Sequence, residues 1–204
     1  MLTGSNLLLS QLVDDLAEHG WAQQNFFITQ GLTLELAAEC HRRATQDALR
    51  PAGIGHGSTQ ALREGVRGDR IEWLQADEPG PCKVYLEHMN ALRVALNAAL
   101  YLGLEDYESH FSLYPPGAFY HRHLDRFRDD DRRTVSAVLY LNQDWRPEYG
   151  GALRLYTPGQ SLEITPLGGR LVVFLSAEIA HEVLPTTHER LSLTGWFRRR
   201  AQSV

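Results

Sequence analysis

The sequence predicts an α+β protein in which N-terminal helices support a double-stranded β-helix, also called a jelly-roll barrel. Apolar residues recur at helical spacing through the first half of the 204 residues, whereas short apolar segments separated by Gly and Pro turns follow. A chain of this length can bury one full core. We therefore expect a single domain over 1–204, with mainly helical support over 1–105, a loop at 51–69 and the barrel core over 106–200.

The first half combines helical periodicity with glycine-rich turns. Leu8, Leu12 and Leu16 repeat at helical spacing, and Gly20 is a typical helix stop. The glycine-rich stretch 51–68 has little apolar periodicity, so we expect a long mobile loop there. The other elements expected in this half are a strand at Trp21–Ile28, a helix at Thr33–Leu49 ended by Pro51, a strand at Arg70–Leu74 and an amphipathic helix from Tyr85 to Leu100.

The second half reads as strands and turns. Turn residues such as Pro115-Pro116-Gly117 and Gly150-Gly151 separate the apolar segments. About eight strands in this half would suffice for the barrel. The seven segments that we predict as strands are Phe111–Tyr114, Phe119–Asp125, Val135–Leu141, Leu153–Tyr156, Leu162–Thr165, Leu171–Leu175 and Arg190–Arg198.

His123 and Asp125 form an H-x-D pair within one predicted strand. Because successive side chains of a strand alternate between faces, the imidazole and the carboxylate should point the same way. His181 is the best candidate for a third ligand, and two histidines with one carboxylate are the facial triad of non-haem Fe(II) oxygenases. A cupin would instead use His121 with His123 and a nearby Glu; the nearby acidic residues here are Asp125 and Asp129, so His121 is expected beside the site or exposed.

The last predicted strand has an apolar face and a polar face, and Arg190 lies on the polar one. A buried arginine is costly unless it is paired, and the last two strands offer it no evident Asp or Glu. A ligand carboxylate is therefore its natural partner, and the hydroxyl of Tyr140 would complete the site. Tyr114 could line the same pocket. The residues that share the face of Arg190 are Ser192, Thr194 and Trp196.

Charge and composition exclude several classes of function. The net charge of -5 gives no general attraction to nucleic acid or to anionic membranes. No run approaches the ~18 apolar residues of a membrane-spanning helix. Cys40 and Cys82 are too few for a disulfide framework, which is typical of a reducing compartment. We expect a cytoplasmic protein with no nucleic-acid partner and no membrane partner.

Seven stretches resemble one family when they are taken together and in order. They are Arg67-Gly68-Asp69-Arg70-Ile71-Glu72-Trp73, Tyr114-Pro115-Pro116-Gly117, His123-Leu124-Asp125, Tyr140-Leu141-Asn142-Gln143-Asp144-Trp145, Gly150-Gly151, His181-Glu182-Val183-Leu184-Pro185 and Arg190 through Trp196. The chain resembles the 2-oxoglutarate- and Fe(II)-dependent oxygenases, and among them the prolyl hydroxylases that act on hypoxia-inducible factor. The long N-terminal region of the animal enzymes has no counterpart, so a bare, bacterial-type catalytic domain is expected.

The resemblance implies the cofactors and the residues that hold them. Fe(II), 2-oxoglutarate and O2 would be required, and ascorbate would support activity. The implied iron ligands are His123, Asp125 and His181, and with Arg190 they make up the implied catalytic set. Arg190 would pair with 2-oxoglutarate, and the other residues implied for the co-substrate pocket are Tyr114, Tyr140, Thr194 and Trp196.

The implied reaction is 4-hydroxylation of a proline in a protein substrate, with release of succinate and carbon dioxide. Arg67, Asp69 and Arg133 would contact that substrate, and the loop before Arg67 would close over it. The loop sequence departs from the animal enzymes, so their peptide specificity does not carry over. Bacterial relatives are associated with elongation factor Tu, which is therefore the expected protein partner.

Two alternative functions belong to other classes. One is an oxygenase of the same fold that acts on a nucleic acid or a small molecule; nucleic-acid demethylases place a second arginine six residues after the co-substrate arginine, where this chain has Trp196. The other is a cupin-like metal-binding module without enzymatic activity, in which Arg190 and Tyr140 would have no reason to converge. Binding of 2-oxoglutarate in the presence of Fe(II) distinguishes an oxygenase from such a module.

Overall fold

The computed structural model describes residues 4–53, 66–126 and 130–200. These residues form three α-helices, eleven strands and a short 3-10 helix at Pro147–Tyr149. The helices are α1 (Gly4–His19), α2 (Gln30–Thr45) and α3 (Gly80–Leu100). The strands are β1 (Trp21–Gln24), β2 (Arg50–Pro51), β3 (Arg70–Trp73), β4 (Leu104–Tyr114), β5 (Tyr120–His123), β6 (Arg133–Tyr140), β7 (Leu153–Thr157), β8 (Gln160–Ile164), β9 (Leu171–Leu175), β10 (Ala180–Val183) and β11 (Arg190–Arg199).

The strands form two antiparallel sheets, as the predicted jelly-roll architecture requires. The larger sheet has seven strands in the order β1-β9-β6-β11-β4-β3-β2, and the smaller has four in the order β5-β10-β7-β8. The long strand β11 pairs with β4 on one side and β6 on the other. The predicted α+β fold with a double-stranded β-helix is therefore confirmed.

Apolar side chains form two clusters, one on each face of the larger sheet. One cluster joins the three helices to the outer face, where alternate residues of β11 such as Leu191, Leu193 and Phe197 point. The other fills the space between the two sheets with residues such as Val138, Phe174 and Val183. The helices thus stiffen the larger sheet from outside, and the residues that alternate inward are left to build a site.

The helices begin and end close to the predicted positions, with one correction. Gly20 has a positive φ of 74° after α1, which is the left-handed conformation that glycine adopts at helix ends. The second helix was predicted over Thr33–Leu49 but runs earlier, because the Thr29 hydroxyl accepts a hydrogen bond from the Leu32 N–H and caps its start. Pro51 does not end this helix; it lies in β2, paired with Arg70.

Two N-terminal predictions need correction. The strand predicted at Trp21–Ile28 stops at Gln24, because Phe26 adopts a positive φ of 55° and turns the chain outward. The division into helical support and barrel core is also too sharp, since β1, β2 and β3 from the N-terminal half all join the larger sheet.

The strands of the barrel agree better, with three differences. The strand predicted at Phe111–Tyr114 begins seven residues earlier, at Leu104, because charged residues on its outer end pair across to β11. The strand predicted at Phe119–Asp125 ends at His123. The segment around His181 forms β10, which the sequence did not predict as a strand.

Residues 54–65, which include most of the predicted mobile loop, lie outside the described residues. Among the helices that are described, none combines the length and the apolar character needed to cross a membrane.

Candidate active site

The two histidines of the predicted triad face each other across the smaller sheet. His181 on β10 is the register partner of His123 on β5, and their ring centroids lie 4.2 Å apart. Directly opposed residues of an antiparallel pair share one face, so both rings point between the sheets. The strand pairing is irregular between His181 and Val183, where a bulge shifts the register.

Asp125 reaches the histidines from beyond the end of the strand. It lies in a bend two residues after β5, so the strand alternation that predicted its direction does not apply to it. The hydroxyl of Ser136 on β6 donates to Asp125 Oδ2 at 2.7 Å, and Ser176 lies 2.8 Å from Ser136. The bend and this serine pair, rather than β-strand geometry, direct the carboxylate into the site.

The three side chains leave their metal-binding atoms facing one another. His123 Nε2 is 3.5 Å from Asp125 Oδ1, and His181 Nε2 is 3.6 Å from Asp125 Oδ2. Both Nδ1 atoms lie near backbone carbonyls, of His121 at 2.7 Å and of Ile179 at 3.3 Å. A carbonyl oxygen only accepts, so each Nδ1 carries the ring hydrogen and each Nε2 keeps a lone pair toward the carboxylate.

The protonation states suit a divalent cation. Burial lowers the pKa of His181 to about 4, so its imidazole is neutral at neutral pH. Burial alone would raise the pKa of Asp125, but the neighbouring His181 and His123 and the hydrogen bond from Ser136 hold that pKa well below its usual value. An ionised carboxylate beside the neutral His181 imidazole suits the donor set that a facial-triad metal takes. The potential ligand atoms all lie within 4.8 Å of one another.

Arg190 is the most deeply buried charged residue near this triad. Its side chain is 1% exposed at the start of β11. Its Nε donates to the Gly151 carbonyl at 2.8 Å, and Nη1 makes only a long contact of 3.5 Å with Ser192. No carboxylate of the described residues pairs with it. The remaining N–H groups form a fork suited to a carboxylate ligand.

Two tyrosines flank the Arg190 guanidinium. Tyr114, its register partner on β4, has its ring 5.0 Å from Arg190 Cζ, and the ring of Tyr140 on β6 lies 5.1 Å away. Burial raises the pKa of both phenols, so they remain hydrogen-bond donors. The Tyr140 hydroxyl is buried and meets no hydrogen-bond acceptor among the described residues, which leaves a donor that a bound carboxylate would satisfy.

One cavity of about 290 Å³ joins these groups, close to the lower end of the ~300–1,000 Å³ typical of ligand pockets. It is lined by the triad, by Arg190 and Tyr114, and by the predicted co-substrate residues Thr194 and Trp196. Tyr140 is not among the lining residues, but its ring packs beside the Arg190 guanidinium. The cavity thus places a metal-ligand set and an unpaired guanidinium in one partly apolar enclosure.

The three residues expected to contact the protein substrate differ in their positions relative to the cavity. Arg67 lines the cavity, but Asp69 does not: its side chain is fully buried and pairs with Arg67, with distances of 2.5 and 2.9 Å between the paired atoms. The prediction that Asp69 itself faces the substrate therefore needs correction, because the Arg67 guanidinium occupies its carboxylate. Arg133 lines the cavity with its guanidinium 3.5 Å from the Trp196 ring, and it pairs with Glu108 at 3.0 Å.

Sequence reasoning set aside one histidine correctly and overlooked another. His121 is exposed and packs its ring against Phe119, outside the triad. His110, to which the sequence pattern assigns no role, lines the cavity. The predicted strand began at Phe111 and therefore excluded His110. In the longer observed strand, alternation from Tyr114 through Ser112 places His110 on the inward face.

Comparison with known proteins agrees with this geometry. Residues 109–198 match the family model described as the 2OG-Fe(II) oxygenase superfamily. The crystal structure of a Pseudomonas putida prolyl-4-hydroxylase is similar, with 55% sequence identity over 95% of this chain and 100% of that chain, and a TM-score of 0.88. The chain belongs to the 2-oxoglutarate- and Fe(II)-dependent oxygenases.

Further relatives of this oxygenase are prolyl hydroxylases too. The human prolyl hydroxylase EGLN3 is 28% identical over 94% of this chain and 83% of its own length. A Trichoplax adhaerens prolyl hydroxylase, solved in complex with a peptide fragment of the hypoxia-inducible factor oxygen degradation domain, is 26% identical over 95% of this chain and 90% of that one, with a TM-score of 0.86. The protein is a 2-oxoglutarate-dependent dioxygenase of the prolyl hydroxylase type, and its cofactors are Fe(II), 2-oxoglutarate and O2.

Proposed function

We propose that this oxygenase hydroxylates C4 of a prolyl residue in elongation factor Tu. The reaction would convert 2-oxoglutarate and O2 to succinate and carbon dioxide. One oxygen atom enters the prolyl C–H bond and the other enters the succinate carboxylate, so all atoms are accounted for.

The proposed Fe(II) ligands are His123, Asp125 and His181. The fit rests on the donor set: two imidazole Nε2 atoms with lone pairs and one ionised carboxylate converge, while backbone carbonyls fix both tautomers. When bound there, Fe(II) supplies the oxidative chemistry that amino-acid side chains lack. The chain contributes ligand orientation, and Ser136 positions the carboxylate through its 2.7 Å hydrogen bond.

The observation that carries the proposal is the buried Arg190 without a carboxylate partner. An unpaired cation with 1% exposure is unfavourable in the free protein, and a dicarboxylic acid in the same cavity removes that cost. We propose that the Arg190 fork and the orphaned Tyr140 hydroxyl bind the distal carboxylate of 2-oxoglutarate. Tyr114 and Thr194 would line the co-substrate, and Trp196 would pack beside the iron ligands.

For the protein substrate we propose that Arg67 and Arg133 contact the peptide at the cavity wall. Asp69 would act through Arg67, since the buried carboxylate fixes the direction of that guanidinium. Burial lowers the pKa of Arg67 less than the hydrogen bond and charge of Asp69 raise it, so the net pKa is raised and Arg67 stays charged. The aromatic wall would exclude water around the prolyl ring.

The test uses purified elongation factor Tu from a bacterial host with the enzyme, Fe(II) and 2-oxoglutarate. Mass spectrometry should find one oxygen atom added to a single proline, with succinate formed in equal amount. The matched control is Asp125→Ala, which should give neither product.

Two failures would be distinguishable in that experiment. Succinate without modified elongation factor Tu, together with a hydroxylated proline on another protein of the host extract, would refute the substrate and keep the reaction. The absence of any hydroxyproline in the whole extract would refute prolyl hydroxylation by this enzyme.

A further inference from the structure

His110 is a buried imidazole in the active-site cavity that has no part in binding iron or 2-oxoglutarate as proposed. It is 1% exposed on β4. Its ring packs edge-on against Trp73, with centroids 4.9 Å apart, and 5.5 Å from Trp196. All three rings line the cavity together with the Arg133 guanidinium. We call this part of the cavity, formed by Trp73, His110, Arg133 and Trp196, the lateral arm.

Strand register shows where the lateral arm lies relative to the triad. Val138 on β6 pairs with Thr194, Thr194 pairs with His110, and His110 pairs with Trp73 on β3. All four line the cavity, so they form one row across its floor. Three steps between strands cover about 14 Å. The β6 end of the floor is next to Ser136, which holds Asp125; His110 and Trp73 lie toward the opposite edge.

The hydrogen bonds of His110 determine its tautomer. Nδ1 lies 3.1 Å from the Phe111 carbonyl oxygen and 3.1 Å from the Ser112 hydroxyl. Since a carbonyl oxygen only accepts, we assign the ring hydrogen to Nδ1. Nε2 then keeps a lone pair, and no hydrogen bond from the described residues reaches it. The lateral arm therefore contains a hydrogen-bond acceptor beside two indole rings and the Arg133 guanidinium.

The electrostatic surroundings select the kind of group that this acceptor can take. Burial lowers the pKa of His110 to about 3, helped by the nearby positive charges of Arg67 and Arg133, so the ring stays neutral at neutral pH. Both guanidinium groups already pair with carboxylates of this chain, Asp69 and Glu108. Neither a basic nor an acidic side chain therefore finds an unpaired partner of opposite charge in them.

We propose that the lateral arm receives a part of the prolyl peptide bearing a neutral N–H or O–H donor, and that His110 Nε2 accepts its hydrogen bond. This rests on the proposed function to the extent that the ligand is a prolyl peptide. Two sources share the required chemistry. One is the side chain of a residue beside the target proline, such as Ser, Thr, Asn or Gln, and the other is the new hydroxyl of the hydroxyproline product.

The first measurement examines the acceptor without any peptide. Long-range proton–nitrogen NMR of the enzyme loaded with Zn²⁺ and 2-oxoglutarate reads the protonation of each histidine nitrogen. His110 should show a protonated Nδ1 and an unprotonated Nε2, and the signal should be missing in His110→Gln. A protonated Nε2 would overturn the proposal, whatever the peptide experiments show.

The second measurement uses a pool of peptides with a central proline and randomised neighbours. Wild type should favour donor side chains at one neighbouring position, with Thr preferred over its isostere Val by roughly three- to tenfold in kcat/KM, the size of one neutral hydrogen bond. His110→Met, which removes the acceptor, should lose that preference. His110→Gln, which restores an acceptor oxygen, should recover it. Affinity for 2-oxoglutarate serves as the check that each variant is folded.

A separate binding measurement tests whether the new hydroxyl of the product is the donor. If the product hydroxyl is the donor, neighbouring positions show no preference, and a hydroxyproline peptide binds wild type and His110→Gln roughly three- to tenfold more tightly than its proline counterpart. Equal Thr/Val and hydroxyproline/proline ratios in wild type and His110→Met would overturn the proposal. A pool in which no peptide binds at all would count against the prolyl-peptide ligand itself, and the NMR result alone would then decide the state of the acceptor.

Discussion

Two arginines are buried among the described residues, and their surroundings differ. Arg43 on α2 is 8% exposed and touches three carboxylates: Glu39 at 2.7 Å, Glu72 at 3.4 Å and Glu78 at 2.6 Å. Arg190 is 1% exposed and touches no carboxylate of the described chain. Both guanidinium groups are held by hydrogen bonds, but only the charge of Arg43 is neutralised by carboxylates of the described chain.

The charge of Arg43 stabilises the fold, whereas the charge of Arg190 is available to bind a ligand. The Arg43 cluster ties α2 to β3 and to the turn before α3, and it supports the edge of the larger sheet. Arg190 and Asp125 instead lie in the cavity with opposite charges that do not meet each other. A buried charge whose partner is missing is unfavourable, so its presence points to a ligand.

The largest expected effect concerns the carboxylate of the cavity. Asp125→Ala removes the anionic member of the proposed triad, so Fe(II) binding should weaken severely and hydroxylation should fall below detection. The measurement is iron stoichiometry after dialysis, together with hydroxyproline formation. His121→Ala, the control two residues before His123, should keep its iron. Iron retained by Asp125→Ala and lost by His121→Ala would show that the cupin-like ligand set is the right one.

The next effect tests the self-neutralised cluster. Arg43→Ala leaves three carboxylates around an emptied site, so the free energy of unfolding should fall by about 3–5 kcal/mol. Urea denaturation measures this loss. Arg42→Ala, on the exposed side of the same helix, should have a far smaller effect, because solvent screens its ion pair with Glu39. If the two variants unfold at the same urea concentration, the Arg43 cluster does not stabilise the fold and the comparison fails.

Arg190 should behave in the opposite way. Arg190→Ala should weaken 2-oxoglutarate binding by about 1.5–3 kcal/mol, which corresponds to roughly 10- to 150-fold in Kd, because a charge-assisted bidentate pair is lost. The free energy of unfolding of the ligand-free protein should not fall as it does for Arg43→Ala, since no internal ion pair is broken and an uncompensated buried charge is removed. Titration calorimetry and denaturation measure the two quantities.

Lysine supplies the control for Arg190. Arg190→Lys should recover only part of the affinity, because an ammonium group cannot form the same fork. Unchanged 2-oxoglutarate affinity in both variants would remove Arg190 from the co-substrate site and end the contrast with Arg43.

The smallest effect concerns His110, which is buried as a neutral group. Its pKa is lowered from 6.5 to about 3, so the unfolded chain binds the extra proton between these values and the folded protein does not. Stability should therefore fall as the pH drops from about 6.5 toward 3. Between pH ~7.5 and pH ~5.5, the free energy of unfolding of wild type should fall by roughly 1 kcal/mol more than that of His110→Gln. If the free energy of unfolding depends on pH in the same way for both proteins, His110 has the same pKa in the folded and the unfolded chain.

Much of the site could be predicted because its residue types are unusual for their positions. Arg190 is predicted to be a ligand-binding group because alternation places a cation inside a barrel where no carboxylate is evident. His123 and His181 were paired by residue type alone, and their direct register across β5 and β10 could not be read from a sequence in which β10 was not predicted. That register depends on long-range pairing, which local patterns do not encode.

Other features were predicted for an incorrect reason or overlooked. Asp125 was assigned to the site through strand alternation, although a bend and the Ser136 hydroxyl place it there. His110 was overlooked because the polar residues in the first half of β4 lack the apolar alternation by which a strand is predicted. Asp69 was expected to face the substrate, and its burial beside Arg67 depends on tertiary contacts that a single sequence does not show.

The register pair of His123 and His181 also constrains how this enzyme can change over evolution. Sliding β10 by one residue relative to β5 would turn His181 to the outer face and bring a neighbour such as Glu182 inward. Insertions and deletions in β10 outside its bulge should therefore abolish activity outright, whereas the turns at either end should accept them. The bulge after His181 is the place where an added residue could be absorbed without displacing the imidazole.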